Sequence, residues 1–373
     1  MLKKLLIVLL ISGIGFAIAP TYIQRAIIRN FADIDDYKFF DNETVKAGKG
    51  SPWKISDSYN KEQISAETQK WMEKKKTIAF LVIQNDSILY EQYWDGYSAS
   101  SLSGSFSMAK SVVSLLIGIA VEEGKINSLD DKIARYIPEF DRQDTRDISI
   151  KDVLTMSAGF KYVESYWNFF GKTSQTYYGD NLKKVIGNLK TDREPGKTYY
   201  YSSAETQVLG WILENAYGQS VPSLFSEKIW SKIGAEHDAL WSLDKKGGTA
   251  KTFCCINSNA RDFARLGQLV LQNGMWDSTQ IIPAQYIKAA TTPASWLEYE
   301  GKPVDFYGYQ FWFMNYKGFD IPYFWGILGQ LIFVIPEKNA VVIRLGERIA
   351  EDYDGEHATD SYVYLDAAFK ILK

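Results

Sequence analysis

The stretch Ser105-Phe106-Ser107-Met108-Ala109-Lys110-Ser111 runs directly into Val112-Val113-Ser114-Leu115-Leu116-Ile117-Gly118-Ile119-Ala120, with no breaker until Gly124. A helix apolar on nearly every side is buried in a domain core, and the pattern predicts one over residues 107–123. Ser107 and Lys110, three residues apart, then project side by side from its first turn. A lysine at the mouth of such a helix is partly desolvated, which lowers its pKa and lets the amine serve as a base. A serine hydroxyl beside that base becomes nucleophilic, and the unpaired N–H groups of the helix N-terminus can hold a developing oxyanion. The same four letters also fit a plain N-cap with a solvated lysine.

The rest of the chain has enough apolar material to wrap that helix. Of 373 residues, 46% are hydrophobic and 15% aromatic, enough for one large or two interleaved domains. A net charge of −3 argues against a nucleic-acid surface. The two histidines, His237 and His357, and the two cysteines, Cys254 and Cys255, lie in three separate places without metal-ligand spacing. No metal or other cofactor is expected, and adjacent cysteines imply no disulfide framework.

Lys3 and Lys4 precede an uncharged, mostly apolar run over 5–23, which reads as a signal peptide or membrane anchor. Pro20 after Ala17-Ile18-Ala19 favours an uncleaved anchor, with the following residues extracytoplasmic and the N-terminus in contact with a membrane. Residues 24–56 form an extended segment. Ile78-Ala79-Phe80-Leu81-Val82-Ile83 and Ile88-Leu89-Tyr90-Glu91-Gln92-Tyr93 flank a turn and predict a hairpin. Residues 130–138 predict a short helix stopped by Pro138, and Ser149 caps another. Residues 163–180 are aromatic and polar without period, like a cleft loop. Asn257 or Ser258 caps a helix containing Arg261 and Asp262, and strands are predicted over 308–314, 331–335 and 340–345. A helix closes the chain over 361–373. Strands at both ends around a helical middle predict an α/β chain of α+β type. Its antiparallel sheet is drawn from 57–105 and 240–373, with a mainly helical domain inserted over 106–239.

Ser107-Met108-Ala109-Lys110 at a buried helix start resembles the first motif of the serine β-lactamase and penicillin-binding superfamily, and Tyr201-Ser202-Ser203 resembles its second. The segment 194–210 is similar to the class C branch, above all to 6-aminohexanoate-dimer hydrolases and related esterases. The resemblance extends from about residue 57 to the C-terminus. It implies a β-lactamase/transpeptidase-like fold and a covalent acyl-enzyme made by Ser107, with Lys110 as base and Tyr201 as proton shuttle. A phenol beside an ammonium is expected to have its pKa lowered. Ser203 stands where the family often has asparagine. Phe324-Trp325-Gly326-Ile327 takes the place of the third motif, with Gly326 allowing close approach and the N–H groups of Ser107 and Ile327 forming the oxyanion hole. Asn257 and Trp312 match positions that contact substrate in amide-hydrolysing relatives, although a helix cap and a core aromatic account for them equally well.

The resulting expectation is a serine hydrolase acting on a small ester or amide. Phe324 replaces the lysine thought to bind a substrate carboxylate in true β-lactamases, which argues against efficient penicillin hydrolysis. A β-lactamase or D-alanyl carboxypeptidase is the alternative within the same chemistry. A non-catalytic ligand or peptidoglycan-binding module is the alternative from another class, opposed by the intact Ser107, Lys110 and Tyr201. No Gly-x-Ser-x-Gly elbow supports a histidine-based triad.

Overall fold

The computed structural model describes residues 16, 18–166, 168–349 and 352–373. Most of the apolar segment expected over 1–23 lies outside them. No helix among the described residues is long and apolar enough to cross a membrane.

Among the described residues, the largest sheet has seven strands: β1 (Lys54–Ile55), β2 (Thr77–Gln84), β3 (Ser87–Tyr93), β4 (Trp312–Tyr316), β5 (Phe319–Gly326), β6 (Gln330–Ile335) and β7 (Ala340–Gly346). Their order across the sheet is β4-β5-β6-β7-β2-β3-β1. Every neighbouring pair is antiparallel except β1 with β3. The expected union of the two chain ends occurs where β7 meets β2, with Val342 opposite Val82.

Side chains alternate across this sheet, so each strand supplies two cores. Leu81, Ile83, Ile332, Val334, Val341 and Ile343 face one layer, while Phe80, Val82, Leu331, Phe333 and Val342 face the other. The four long helices among the described residues are α1 (Met108–Glu122), α2 (Ser203–Tyr217), α3 (Ala260–Leu271) and α4 (Asp360–Ile371). Helices α1 and α3 belong to the first layer, and α4 covers the second through Tyr364, Leu365 and Ala368. Every residue from Met108 to Ala120 is buried, as the unbroken apolar pattern of α1 requires. Each such Val, Leu or Ile contributes about 1.5–3 kcal/mol relative to exposure. Against α1 packs α2, which ends at Gly218 in the left-handed conformation.

Several elements differ from expectation for identifiable reasons. The stretch 130–138 forms only short 3-10 turns, because Lys132 pairs with Ser149 as an isolated bridge and Ile137 is extended before Pro138. The cap of α3 is Asn259, which accepts the Asp262 N–H at 2.9 Å. Residues 256–258 are unavailable for capping, since they form a strand paired with Ser103–Gly104 in a second sheet of four strands. The strand expected from Gly308 begins at Trp312, after Gln310 turns the chain with φ of 61°. Within the aromatic loop, Lys172–Tyr178 is helical between Gly171 and Gly179. Cys254 and Cys255 are joined to each other, so the bridge links neighbours only, with Cα atoms 3.7 Å apart.

Candidate active site

The strand Ser103–Gly104 delivers the chain to the start of α1 through a tight turn. Ser105 donates its N–H to the Ile256 carbonyl at 2.7 Å, and its hydroxyl oxygen accepts the Ile256 N–H at 3.1 Å. Phe106 follows with φ of 44°, a left-handed conformation costing about 1–2 kcal/mol in a non-glycine residue. Its buried ring helps hold the turn in place. Ser107 is the N-cap of α1, where backbone N–H groups have no partner within the helix.

Lys110 is 1% exposed. Its Nζ lies 3.3 Å from Ser107 Oγ, 3.1 Å from Ser203 Oγ and 2.7 Å from the Phe253 carbonyl. Burial pulls the ammonium pKa down to about 7, with the negative charge of Glu164 opposing the shift. Near neutral pH a large share of the amines is therefore unprotonated and able to accept a proton.

Tyr201 completes the cluster. Its phenol hydrogen-bonds with Ser107, and Lys110 Nζ lies 5.3 Å from the centre of its ring. The expected lowering of the phenol pKa does not occur. Burial pushes it well up, the hydrogen bond with Ser107 opposes this, and the Glu164 charge adds to it. An amine only about half protonated near pH 7 supplies too little positive charge to offset this burial, so Tyr201 keeps its proton. Behind Tyr201 stands Trp312, with ring centroids 5.7 Å apart, itself wedged 4.6 Å from Trp325. Trp312 thus braces the phenol from the aromatic core and does not line the cavity in front of Ser107.

Gly326 closes the other side. A Cβ at this position would sit 2.3 Å from the Ser105 carbonyl oxygen and 3.2 Å from Phe106 Cβ, so only glycine lets β5 approach the turn before Ser107. Ile327 begins the 3-10 turn Ile327–Gly329 immediately beyond, and it lines the same cavity as Ser107 and Ser203. Arg344, fully buried on β7, donates to the carbonyls of Leu328 and Gly329 at 2.7 and 2.8 Å and to the Lys75 carbonyl at 2.7 Å. The sequence reading missed this brace, although a lone arginine in the apolar run of β7 marks it.

The cavity measures about 480 Å³. Phe31, Tyr166, Phe169, Tyr177 and Tyr178 make much of its wall, and Glu164 is the only charged side chain among the described lining residues. Glu164 was also missed, since nothing local separates it from the aromatic loop around it. Asn257 lies outside this lining. Its amide donates to the Cys255 carbonyl at 3.0 Å and to Ser242 Oγ at 3.3 Å, knitting the small sheet together. His237 pairs with Asp262 and His357 with Tyr323, both away from the cavity lining. No group of three His, Cys, Asp or Glu side chains suited to a metal occurs among the described residues.

The sequence profile of the family described as Beta-lactamase matches residues 65–360. The chain belongs to the beta-lactamase family. The 6-aminohexanoate-dimer hydrolase of Paenarthrobacter ureafaciens is 25% identical over 80% of this chain and 79% of its own length. A Bacillus anthracis protein provisionally assigned as a 6-aminohexanoate-dimer hydrolase has a solved structure with a TM-score of 0.79 at 22% identity, covering 90% of this chain and 92% of that one. A family VIII carboxylesterase structure gives a TM-score of 0.60 at 18% identity, with 83% of this chain and 99% of that one covered. This beta-lactamase family member has the β-lactamase/transpeptidase fold expected from its motifs, and it is a serine hydrolase.

Proposed function

We propose that this beta-lactamase family member cleaves small esters or amides through an acyl-enzyme on Ser107. One observation carries the reading: a buried amine with a pKa of about 7 lies 3.3 Å from the Ser107 hydroxyl. The Lys110 amine takes the Ser107 proton as Oγ bonds to the substrate carbonyl carbon. The N–H groups of Ser107 and Ile327 receive the resulting oxyanion, an interaction worth about 3 kcal/mol per donor. Tyr201, protonated and hydrogen-bonded with Ser107, passes a proton to the leaving oxygen or nitrogen and regains one from Lys110. The C–O or C–N bond then breaks, and water releases the acyl group by the reverse proton path.

The cavity argues for substrates without a carboxylate beside the scissile bond. Its described lining offers no lysine or arginine, and Glu164 would repel an anion. Phe324, in the third motif, is buried against Phe311 with ring centroids 4.9 Å apart. Neutral or amine-bearing esters and amides with apolar groups fit this wall better than penicillins do. The name of the Paenarthrobacter relative puts an aminohexanoate dimer among the substrates worth testing. An extracytoplasmic location with N-terminal membrane contact is part of the same proposal, checked by fractionation of the full-length protein.

The test is a fluorophosphonate label followed by a turnover panel. Labelling at Ser107 that disappears in Ser107→Ala supports the enzyme, whereas a folded but unlabelled chain favours a retired ligand-binding module. Cleavage of p-nitrophenyl esters with slow or absent cephalosporin turnover is expected. Rapid cephalosporin hydrolysis overturns the substrate reading.

A further inference from the structure

Glu164 meets the catalytic cluster through Ser203. One carboxylate oxygen accepts the Ser203 N–H at 2.8 Å, and the other accepts the Ser203 hydroxyl at 3.0 Å. A carboxylate can only accept hydrogen bonds. The Ser203 proton therefore points at Glu164, and the Ser203 oxygen can only accept from Lys110 Nζ, 3.1 Å away. The Phe253 carbonyl, 2.7 Å from the same nitrogen, is likewise only an acceptor.

A neutral amine has two N–H bonds and one lone pair. Ser203 and Phe253 use both N–H bonds, which leaves the lone pair for the third neighbour, Ser107 Oγ, at 3.3 Å. Without the carboxylate, the Ser203 hydroxyl is free to turn and donate to that lone pair. Lys110 then presents an N–H to Ser107, the wrong polarity for accepting its proton. We propose that Glu164 is a positioning residue that acts through Ser203 to aim the Lys110 lone pair at the Ser107 hydroxyl. The inference rests on the Ser-Lys-Tyr reading above and adds to it a residue outside all three motifs.

The titratable groups facing Lys110 are Glu164, from the aromatic loop, and Tyr201, at the entry to α2. The Glu164 charge favours the ammonium form, so its removal lowers the Lys110 pKa further. Glu164→Gln keeps the size of the side chain but replaces one acceptor by a donor, which turns the Ser203 hydroxyl toward Lys110. The expected result is a loss in kcat of about 10²-fold with little change in KM, the lower end of what a general base contributes. The acid limb of the pH profile should move to lower pH. A double-mutant cycle supplies the readout that a merely structural role does not move. In Ser203→Ala no hydroxyl remains to capture the lone pair, so Glu164→Gln on that background should cost little more kcat.

The experiment measures kcat, KM and pH profiles on a p-nitrophenyl ester for wild type, both single variants and the double variant, with fluorophosphonate labelling of each. Independent, multiplicative losses, or a Gln variant with wild-type kcat and an unmoved acid limb, overturn the positioning role while leaving the hydrolase reading intact. A folded wild type that does not label at Ser107 overturns both.

Discussion

Replacing Lys110 by methionine should separate stability from activity. The side chain keeps its approximate length and loses its charge. Burial lowers the amine pKa from 10.5 to about 7, which at pH 7 corresponds to a cost on the order of 4 kcal/mol. The sign follows from proton counting: between pH 7 and 10.5 the unfolded chain binds more protons at this site than the folded one, so wild-type stability rises with pH across that window. Below pH 7 the cost is fully present, and above 10.5 it vanishes. Methionine does not titrate, but it leaves the Phe253 carbonyl without its 2.7 Å donor, a loss of about 1–3 kcal/mol. Ser203 keeps its bond to Glu164. Lys110→Met should therefore be inactive yet roughly 2 kcal/mol more stable than wild type in urea unfolding at pH 7. At pH 9.5 the remaining wild-type cost is about 1.4 kcal/mol, so the gap should shift by about 3 kcal/mol and change sign, leaving the variant about 1 kcal/mol less stable than wild type. A variant less stable at pH 7, or a difference that stays flat between pH 7 and 9.5, would refute the reasoning that burial lowers the Lys110 pKa to near neutrality.

Other consequences can be checked with the same ester substrate. The acid limb of kcat/KM should fall near pH 7, with roughly tenfold loss per pH unit below it, and Tyr201, its pKa pushed up, should add no basic limb below about pH 10. Gly326→Ala places a methyl 2.3 Å from the Ser105 carbonyl oxygen, and the forced displacement should lower kcat by about 10²-fold, read beside the melting temperature. Arg344→Met removes the donors to the Leu328 and Gly329 carbonyls, so kcat should fall with a stability loss of roughly 3 kcal/mol; Arg344→Lys should recover part of both. Asn257→Ala should cost about 1 kcal/mol of stability and leave KM unchanged, and a raised KM would return Asn257 to the substrate site.

What the sequence revealed depended on how far each interaction reaches along the chain. Helix α1, the hairpin of β2 and β3 and the N-cap at Ser149, whose hydroxyl accepts the Asp152 N–H, follow from spacing and turn chemistry within a few residues. Ser107 and Lys110 share one helical turn, and their motif could be read for that reason. Glu164 meets Ser203 across 39 positions without a local mark, and the lone arginine in the apolar run of β7 shows that Arg344 is unusual but not that it meets Leu328 across 16. Asn257 was misread as a cap because its strand partner Gly104 lies far back in the chain. The phenol of Tyr201 was misjudged because its proton affinity depends on burial, which a list of neighbours does not supply.

The pairing of β7 with β2 also bears on when chemistry can begin. A nascent chain that has emerged only as far as α3 holds Ser107 and Lys110, the proposed nucleophile and base, but lacks Gly326, Ile327 and the strand that borders Thr77–Gln84. Contacts spanning such distances in sequence form late, and β2 keeps an unpaired edge until they do. Under the proposed mechanism, catalytic competence therefore waits for residues 326–346, and a polypeptide released before them carries Ser107 without the Ile327 N–H proposed to share the oxyanion.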